Sequence, residues 1–345
     1  MSLEEDIRSI EEEIRTTPYN KATSHHIGRL KAKLAKLREE QQSRAGKKAK
    51  KTGIRKAGDA TVAMVGPIGS GRSTLLNRLT GARQKEDPYD TTIVPGVLLH
   101  KGARIQILDI PDILIGKSGE AISAVRDADM ILFVVDPRAP DLGPYVEEIM
   151  RHGIRINERP PEVQIKRTSK GGINISCLVD PGIDRESLMG ILKEYRIHSA
   201  DLLIREALTP ERFIDALEGN RRYIQGIFVM NKADLVSFEV ISPDVIPVSA
   251  LTGAGLDLLK DRIFERLGLI RIYMKPRGGE ADLKEPMVLP KNSTVADLCD
   301  RIHKDFRRRF RYATIWGASA KHDGQRVGFD HALIDEDIIT IVIQK

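Results

Sequence analysis

The sequence predicts an α/β fold: a doubly wound, mainly parallel sheet of the P-loop type with an inserted α+β subdomain. An N-terminal helical hairpin and a C-terminal β-grasp module flank it. Three observations carry that prediction. The stretch Ala60–Leu79, ATVAMVGPIGSGRSTLLNRL, runs from an apolar strand through a glycine-rich turn into a helix. A second apolar run, Gly226–Met230, leads straight into Asn231-Lys232-Ala233-Asp234. Between them, apolar runs of strand length alternate with helical patterns, as crossover βαβ units require.

The first stretch has the order that a phosphate-binding loop needs. Gly66, Pro67, Ile68, Gly69, Ser70 and Gly71 form the turn, and Arg72, Ser73 and Thr74 enter the helix. Glycines let backbone N–H groups converge on phosphate oxygens. The start of the helix adds a half-positive dipole end at the same place. Ser73 would offer its hydroxyl to Mg²⁺. The pattern G-x-x-x-x-G-K-[ST] expects lysine where Arg72 stands. Arginine keeps the charge but is planar, longer and forked, so the exchange is not conservative. Taken alone, the stretch also fits a glycine-rich β–α turn with no ligand.

Composition narrows the class. A chain of 345 residues fits two or three domains, and a hydrophobic share of 41% suffices for buried cores. Its apolar runs, such as Met130–Val135, are far too short to span a bilayer, so no membrane partner is expected. The opening MSLEED lacks the basic, then apolar, pattern of a signal peptide. Cys177 and Cys299 are too few for a disulfide or metal framework and read as reduced thiols, hence an expected cytoplasmic location. The net charge of +6 is compatible with an RNA partner without demonstrating one.

Residues 1–43 read as a helical hairpin. Ile7, Ile10 and Ile14 share one face, Ile27, Leu30, Leu34 and Leu37 another, and Thr17-Pro18 breaks the pattern between them. Each narrow apolar stripe suits mutual packing or docking on another surface. Residues 44–58 form a basic linker with Arg44, Lys47, Lys48, Lys50, Lys51, Arg55 and Lys56 and no acid. It reads either as a solvated connector or as a phosphate-backbone contact to RNA.

Residues 59–269 carry the nucleotide-binding pattern. After the first helix come a polar loop, Asp87 to Thr92, and strand candidates Gly96–Leu99 and Arg104–Asp109. Asp109 ends its strand where a Mg²⁺-side carboxylate is expected. Met130–Val135 is a further buried strand and Gly143–His152 a helix. Residues 154–222 interrupt the alternation with short strands and two helical patterns, Arg185–Tyr195 and Pro210–Leu217, as a small subdomain would. The alternation resumes at Gly226–Met230. In guanine-nucleotide proteins N-K-x-D follows a core strand, its Asp accepting from the guanine N1 and N2 donors. Here that would be Asp234, with Asn231 and Lys232 tying the base loop to the phosphate loop. Val245–Val248 then leads into Ser249-Ala250-Leu251, whose amides could reach the base carbonyl, and a helix through Arg262–Leu267 closes the domain.

Residues 270–345 change grammar. Strand candidates Arg271–Lys275 and Glu285–Leu289, a helix capped by Ser293 or Thr294 and running to Phe306, then Tyr312–Trp316 and Ile338–Ile343 suggest the β-grasp module. Arg307, Arg308, Arg309 and Arg311 around Phe310 make a basic edge that is either solvated or in contact with RNA.

P-loop, Asp-Ile-Pro, Asn-Lys-Ala-Asp and Ser-Ala-Leu in that order resemble a TRAFAC-class GTPase. The segments GIRINERPPEVQIKRTSKGGINIS, YRIHSADLLIREALTPERFIDALEGNRRYI and LIRIYMKPRG…YATIWGASAKH…DEDIITIV narrow the match. They are similar to developmentally regulated GTP-binding proteins, a branch of the Obg-type GTPases. The resemblance spans nearly all of the chain. It implies a G domain with an inserted S5D2-like subdomain, a C-terminal TGS domain, and Mg²⁺-dependent hydrolysis of GTP to GDP. It also implies association with ribosomes or rRNA, through the basic 44–56 run and the TGS domain, and leaves room for a small regulatory protein partner. Carried over residue by residue, Gly66 to Thr74 would hold phosphate, and Ser73 and Thr92 would bind Mg²⁺, Thr92 sensing the γ-phosphate. Asp109 would orient a Mg²⁺-bound water; Asn231, Lys232 and Asp234 would select guanine, and Ser249, Ala250 and Leu251 would complete the base pocket. Arg72, Thr92 and Asp109 are the residues nearest the chemistry.

Three departures stand out. Arg72 replaces the lysine, Asp112 replaces the glycine of D-x-P-G, and Ile113 to Glu120 is shorter than the family's glycine-rich loop. A carboxylate about 4 Å from the γ-phosphate could cost up to roughly 4 kcal/mol at a near-surface dielectric; GDP would escape most of it. The sequence therefore carries two functional readings. One is a slow GTPase acting with ribosomes. The other is a hydrolysis-deficient, GDP-binding or nucleotide-free scaffold that binds RNA or ribosomal partners.

Overall fold

The computed structural model describes residues 3–18, 20, 23–46, 58–82, 92–114, 119–236 and 245–344. By contact density the chain divides into two compact units, residues 1–52 with 146–224, and residues 53–145 with 225–345.

Two helices open the first unit, α1 (Leu3–Thr16) and α2 (Ser24–Gly46). The predicted stripes pack on each other: Ile7, Ile10, Leu30 and Leu34 are buried together, with Ile14 and Leu37 against them. Helix α2 runs past residue 43 into the basic stretch as far as Gly46; residues 47–57 lie outside the described residues.

The second unit begins with β1 (Ala60–Val65), α3 (Arg72–Thr80), β2 (Val94–His100), β3 (Ala103–Asp109), α4 (Gly119–Asp127) and β4 (Met130–Val135). Every residue of β1 and β4 is buried, as central strands covered on both faces must be. Helix α4 begins inside Ile113 to Glu120, the stretch expected to take the place of a glycine-rich loop. Helix α5 (Gly143–Arg151) follows.

The first unit resumes with β5 (Ile154–Ile156), β6 (Val163–Arg167), β7 (Ile173–Cys177), α6 (Arg185–Glu194), β8 (Ala200–Ile204) and α7 (Pro210–Glu218). Strands β6, β8 and β7 form one sheet in that order. Strand β8 escaped the sequence reading. Its buried residues Ala200, Leu202 and Ile204 join Leu188, Ile191, Phe213 and Ala32 of α2 in one core. The hairpin thus shares a core with the inserted segment and does not stand alone. The Arg155 and Arg221 guanidiniums both pair with the buried carboxylate of Asp215, which satisfies a charge that burial alone would penalise.

The remaining elements are β9 (Arg222–Met230), β10 (Val245–Pro247), α8 (Leu256–Arg266), β11 (Leu269–Met274), β12 (Met287–Pro290), α9 (Val295–Ile302), α10 (Lys304–Arg309), β13 (Phe310–Trp316), β14 (Gln325–Val327) and β15 (Asp337–Ile343). In the second unit the large sheet has the order β10-β9-β4-β1-β3-β2, parallel except for the β2–β3 hairpin. Its core gathers Val62, Met64, Leu75, Leu76, Leu79, Leu132 and Val229 with Leu259 and Ile263 of α8.

A five-stranded sheet, β12-β11-β15-β13-β14, forms the C-terminal module, and β14 is the strand that sequence reading missed. Helix α9 packs Val295, Leu298 and Cys299 onto one face of it. Of the two residues expected to cap α9, Thr294 does so: its hydroxyl accepts from Asp297 N, and Asp297 accepts from Thr294 N in return. Asp59, just ahead of β1, accepts from Arg104 N at 2.8 Å and pairs with Arg301 of α9.

Candidate functional site

The β1–α3 turn, Gly66 to Gly71, sits at the C-terminal edge of the parallel sheet, where open α/β sheets bind ligands. Gly71 caps α3 in the left-handed region (φ 81°), and a β-carbon there would lie 2.5 Å from the Asn231 amide nitrogen. Only glycine satisfies both demands. The Ser70 hydroxyl is buried without a hydrogen-bond partner among the described residues.

Asn231 joins three loops. Its amide nitrogen donates to Ser70 O at 2.9 Å and Gly71 O at 3.2 Å, while its oxygen accepts from Ala250 N at 3.0 Å. The side chain is 1% exposed. Lys232 is in the left-handed region (φ 59°), and its Nζ donates to Gly69 O at 2.6 Å and to Asp136 Oδ2 at 2.8 Å. Asp234 lies in the short 3-10 turn Ala233–Leu235 and is exposed. Ser249 and Ala250 are buried, Leu251 is exposed. The predicted base loop and phosphate loop are therefore brought together through Asn231 and Lys232.

At the phosphate end, the Ser73 hydroxyl donates to Asp109 Oδ2 at 2.7 Å. Arg72 turns back onto the loop: Nη1 donates to Gly66 O at 2.6 Å and Nε lies 3.5 Å from Asp109 Oδ1. Thr92 is exposed, two residues before Val94, whose register partner is Asp109. The strand pairing thus brings Thr92 to this end of the sheet, while the direct partner of Ser73 is Asp109. Asp112 is held by its neighbours. Its Oδ1 accepts from Leu114 N at 2.9 Å and its Oδ2 from the Tyr145 hydroxyl at 2.8 Å. Burial first, and the Asp112 hydrogen bond second, push the Tyr145 hydroxyl above its ordinary pKa.

Four residues of this region were not anticipated. Asp136 follows the buried run Met130–Val135 as Asp109 follows β3, so the strand-end signal could have found it. Hydrogen bonds from Arg138, chiefly, and from Lys232 hold its carboxyl far below the usual range despite its burial. Arg138 is the outer partner of that group. Arg78, on α3, donates to Ala250 O at 2.9 Å and Leu251 O at 2.6 Å, fastening the loop that Asn231 holds from the other side. Tyr145 is the fourth. Nothing in the sequence around Arg78 or Tyr145 marks these contacts.

The oxygen donors at Ser73 and Asp109 suit a hard cation such as Mg²⁺, which keeps several waters and takes few protein ligands. Among the described residues no cluster of three or more His, Cys, Asp or Glu forms an all-protein metal cage.

Comparison with known proteins bears on what this arrangement does. Residues 61–167 match the family model described as "50S ribosome-binding GTPase". Residues 170–269 match the C-terminal region of that domain, and residues 270–343 match the TGS domain. An uncharacterized GTP-binding protein of Methanocaldococcus jannaschii is 51% identical, over 100% of this chain and 94% of its own. A developmentally-regulated GTP-binding protein 1 homolog of Dictyostelium discoideum is 41% identical, over 99% of this chain and 100% of its own. Among solved structures, a GTP-binding protein from Pyrococcus horikoshii is 16% identical with a TM-score of 0.44, over 82% of this chain and 100% of that one.

Proposed function

Because the chain belongs to the developmentally regulated GTP-binding protein family, we propose that it binds GTP and GDP and hydrolyses GTP slowly, in the presence of Mg²⁺ and in association with ribosomes. The observation that carries the nucleotide part is the bonding of Asn231, which links Ser70 and Gly71 of the phosphate loop to Ala250 of the base loop. That linkage sets the spacing between phosphate tail and purine edge.

In this reading the turn amides of Gly66 to Thr74 receive the phosphates. Asp234 accepts from the guanine N1 and N2 groups, and the amides of Ser249, Ala250 and Leu251 meet its carbonyl. Lys232, fixed by Gly69 O and Asp136, lines the base site. Ser73 and Thr92 would hold Mg²⁺ and Asp109 would orient a water bound to it; when bound, the ion would neutralise charge developing on the phosphates. Ile113, where a water-positioning residue would stand, is apolar and buried. With no side-chain base there, the rate rests on positioning and electrostatics alone, hence slow turnover.

Titration calorimetry with GDP, GTP and ATP, followed by phosphate release from GTP with Mg²⁺, tests this. Guanine nucleotide binding with no ATP binding is expected; no guanine nucleotide binding at high protein concentration ends the reading. Arg72 favours a second reading, a scaffold that holds GDP without turnover, because its guanidinium engages both Gly66 O and the carboxylate assigned to the metal. GDP binding without GTP turnover, even with ribosomes, would select it. Ribosome association through residues 44–56 should weaken steeply with salt.

A further inference from the structure

Strand β13 alternates. Ala313 and Ile315 enter the core beneath α9, and Tyr312, Thr314 and Trp316 stand on the opposite, partly exposed face. Thr340 and Val342 of β15 line the same face, and the loop Lys275–Gly279 rims it, bordering an open cleft of about 390 Å³. Each ring has a cation over one face: Lys275 Nζ lies 4.4 Å from the Trp316 ring centre, and Arg326 Cζ 4.8 Å from that of Tyr312, so a base would stack on the ring's other face or displace the cation. Both rings are only partly buried.

The charge here is uncompensated. Arg271, elsewhere in the module, is saturated by Asp335 and Glu336. Among the described residues no ion pair is formed by Lys275, Arg277 or Arg326. A face with two partly open aromatic rings and unpaired cations suits a ligand with flat rings and regular negative charge. Duplex RNA hides its base faces in the stack, whereas an unpaired stretch presents them. An acidic peptide would use the cations and leave the rings idle. Thr314 is a partly buried hydroxyl residue in the cleft wall, a group that a ribose 2′-OH can meet; the Thr340 hydroxyl is buried and donates to Lys275 O at 2.7 Å.

We propose that this sheet face of the C-terminal module binds an unpaired stretch of RNA, its bases stacking at Tyr312 and Trp316 and its phosphates meeting Lys275, Arg277 and Arg326. This deepens the ribosome-partner part of the reading above and is independent of the nucleotide site.

The molecule carries its own probe, because Trp316 is its single tryptophan. Titrating the full chain with a short unstructured RNA oligonucleotide should quench Trp316 fluorescence, and a hairpin duplex should not. Tyr312→Ala should weaken the RNA affinity about 5- to 150-fold, the range for one lost base stack, while Tyr312→Phe retains it. Lys275→Gln with Arg326→Gln should flatten the salt dependence, and this variant stands in should Tyr312→Ala fail to fold. Equal quenching by duplex, by DNA of the same sequence or by an acidic peptide overturns the proposal. So does ribosome co-sedimentation with RNA leaving Trp316 fluorescence unmoved; in that case the ribosome reading survives and this site does not. GDP binding measured on the same variants should be unchanged.

Discussion

The Tyr145 hydroxyl donates to Asp112 Oδ2 at 2.8 Å, across 33 residues of sequence, and so fixes the carboxylate that departs from the expected D-x-P-G pattern. With its other oxygen on Leu114 N, Asp112 has both oxygens engaged. Tyr145→Phe removes one of those bonds and lets the carboxylate rotate toward an anionic ligand. GTP affinity relative to GDP should fall about tenfold, ~1.4 kcal/mol, inside the roughly 4 kcal/mol ceiling for unit charges 4 Å apart at a near-surface dielectric. Asp112→Gly in the same background should reverse the loss. Calorimetry with both nucleotides reads it, and an unchanged ratio would show that the latch has no bearing on nucleotide choice.

Arg72→Lys removes the fork that spans Gly66 O and Asp109. A lysine is a point charge on a flexible stem and cannot engage both. GTP binding should tighten and single-turnover phosphate release should rise about tenfold, matching one charge-assisted hydrogen bond redirected from the loop. A slower or equal rate in the variant would mean that the guanidinium belongs to the working site.

Asn231→Ala strips a buried amide from two carbonyls and one N–H. The cost to stability should be about 1–3 kcal/mol, seen in chemical denaturation, with all guanine nucleotides losing affinity together. Loss confined to GTP would contradict the bridging role.

Asp234→Ala should abolish the preference for GTP over ATP while leaving the folded state intact, since Asp234 is exposed. Competition between the two nucleotides decides it; a retained preference would move the base pocket elsewhere.

The Asp136 carboxyl is held below its ordinary value of 3.8, first by Arg138 and then by Lys232. A depressed folded-state pKa contributes stability that is fully present above 3.8 and is lost only as pH falls below it. Guanine nucleotide binding should therefore show no carboxylate step from Asp136 between neutrality and about pH 4. Asp136→Asn should loosen Lys232 and weaken binding at every pH in that range. A titration midpoint near pH 5 that this variant removes would refute the assignment.

What the sequence displayed, and what it hid, follows from how local each signal is. Strands β1 and β4 were legible because a strand buried on both faces is a continuous apolar run. The glycine turn and Asn231-Lys232-Ala233-Asp234 were legible because each sits directly behind such a run. Strand β8 was missed because Ala200–Ile204 is only five residues long and is interrupted by an exposed acid at Asp201, so its pattern is weak without β6 and β7 beside it. Arg78 and Tyr145 matter through partners 173 and 33 residues away, and no local pattern encodes a long-range pairing. Asp136 carried a strand-end signal, and Arg138 is its near neighbour in sequence. Departures at Arg72 and Asp112 were visible, but the contacts that absorb them were not.

Arg301 of α9 grips Asp59, which also receives Arg104 N, one residue before β1 begins. The pair joins the terminal module to the residue directly ahead of the strand that leads into Gly66. With Arg301 half exposed, Arg301→Ala should cost about 0–1 kcal/mol of stability.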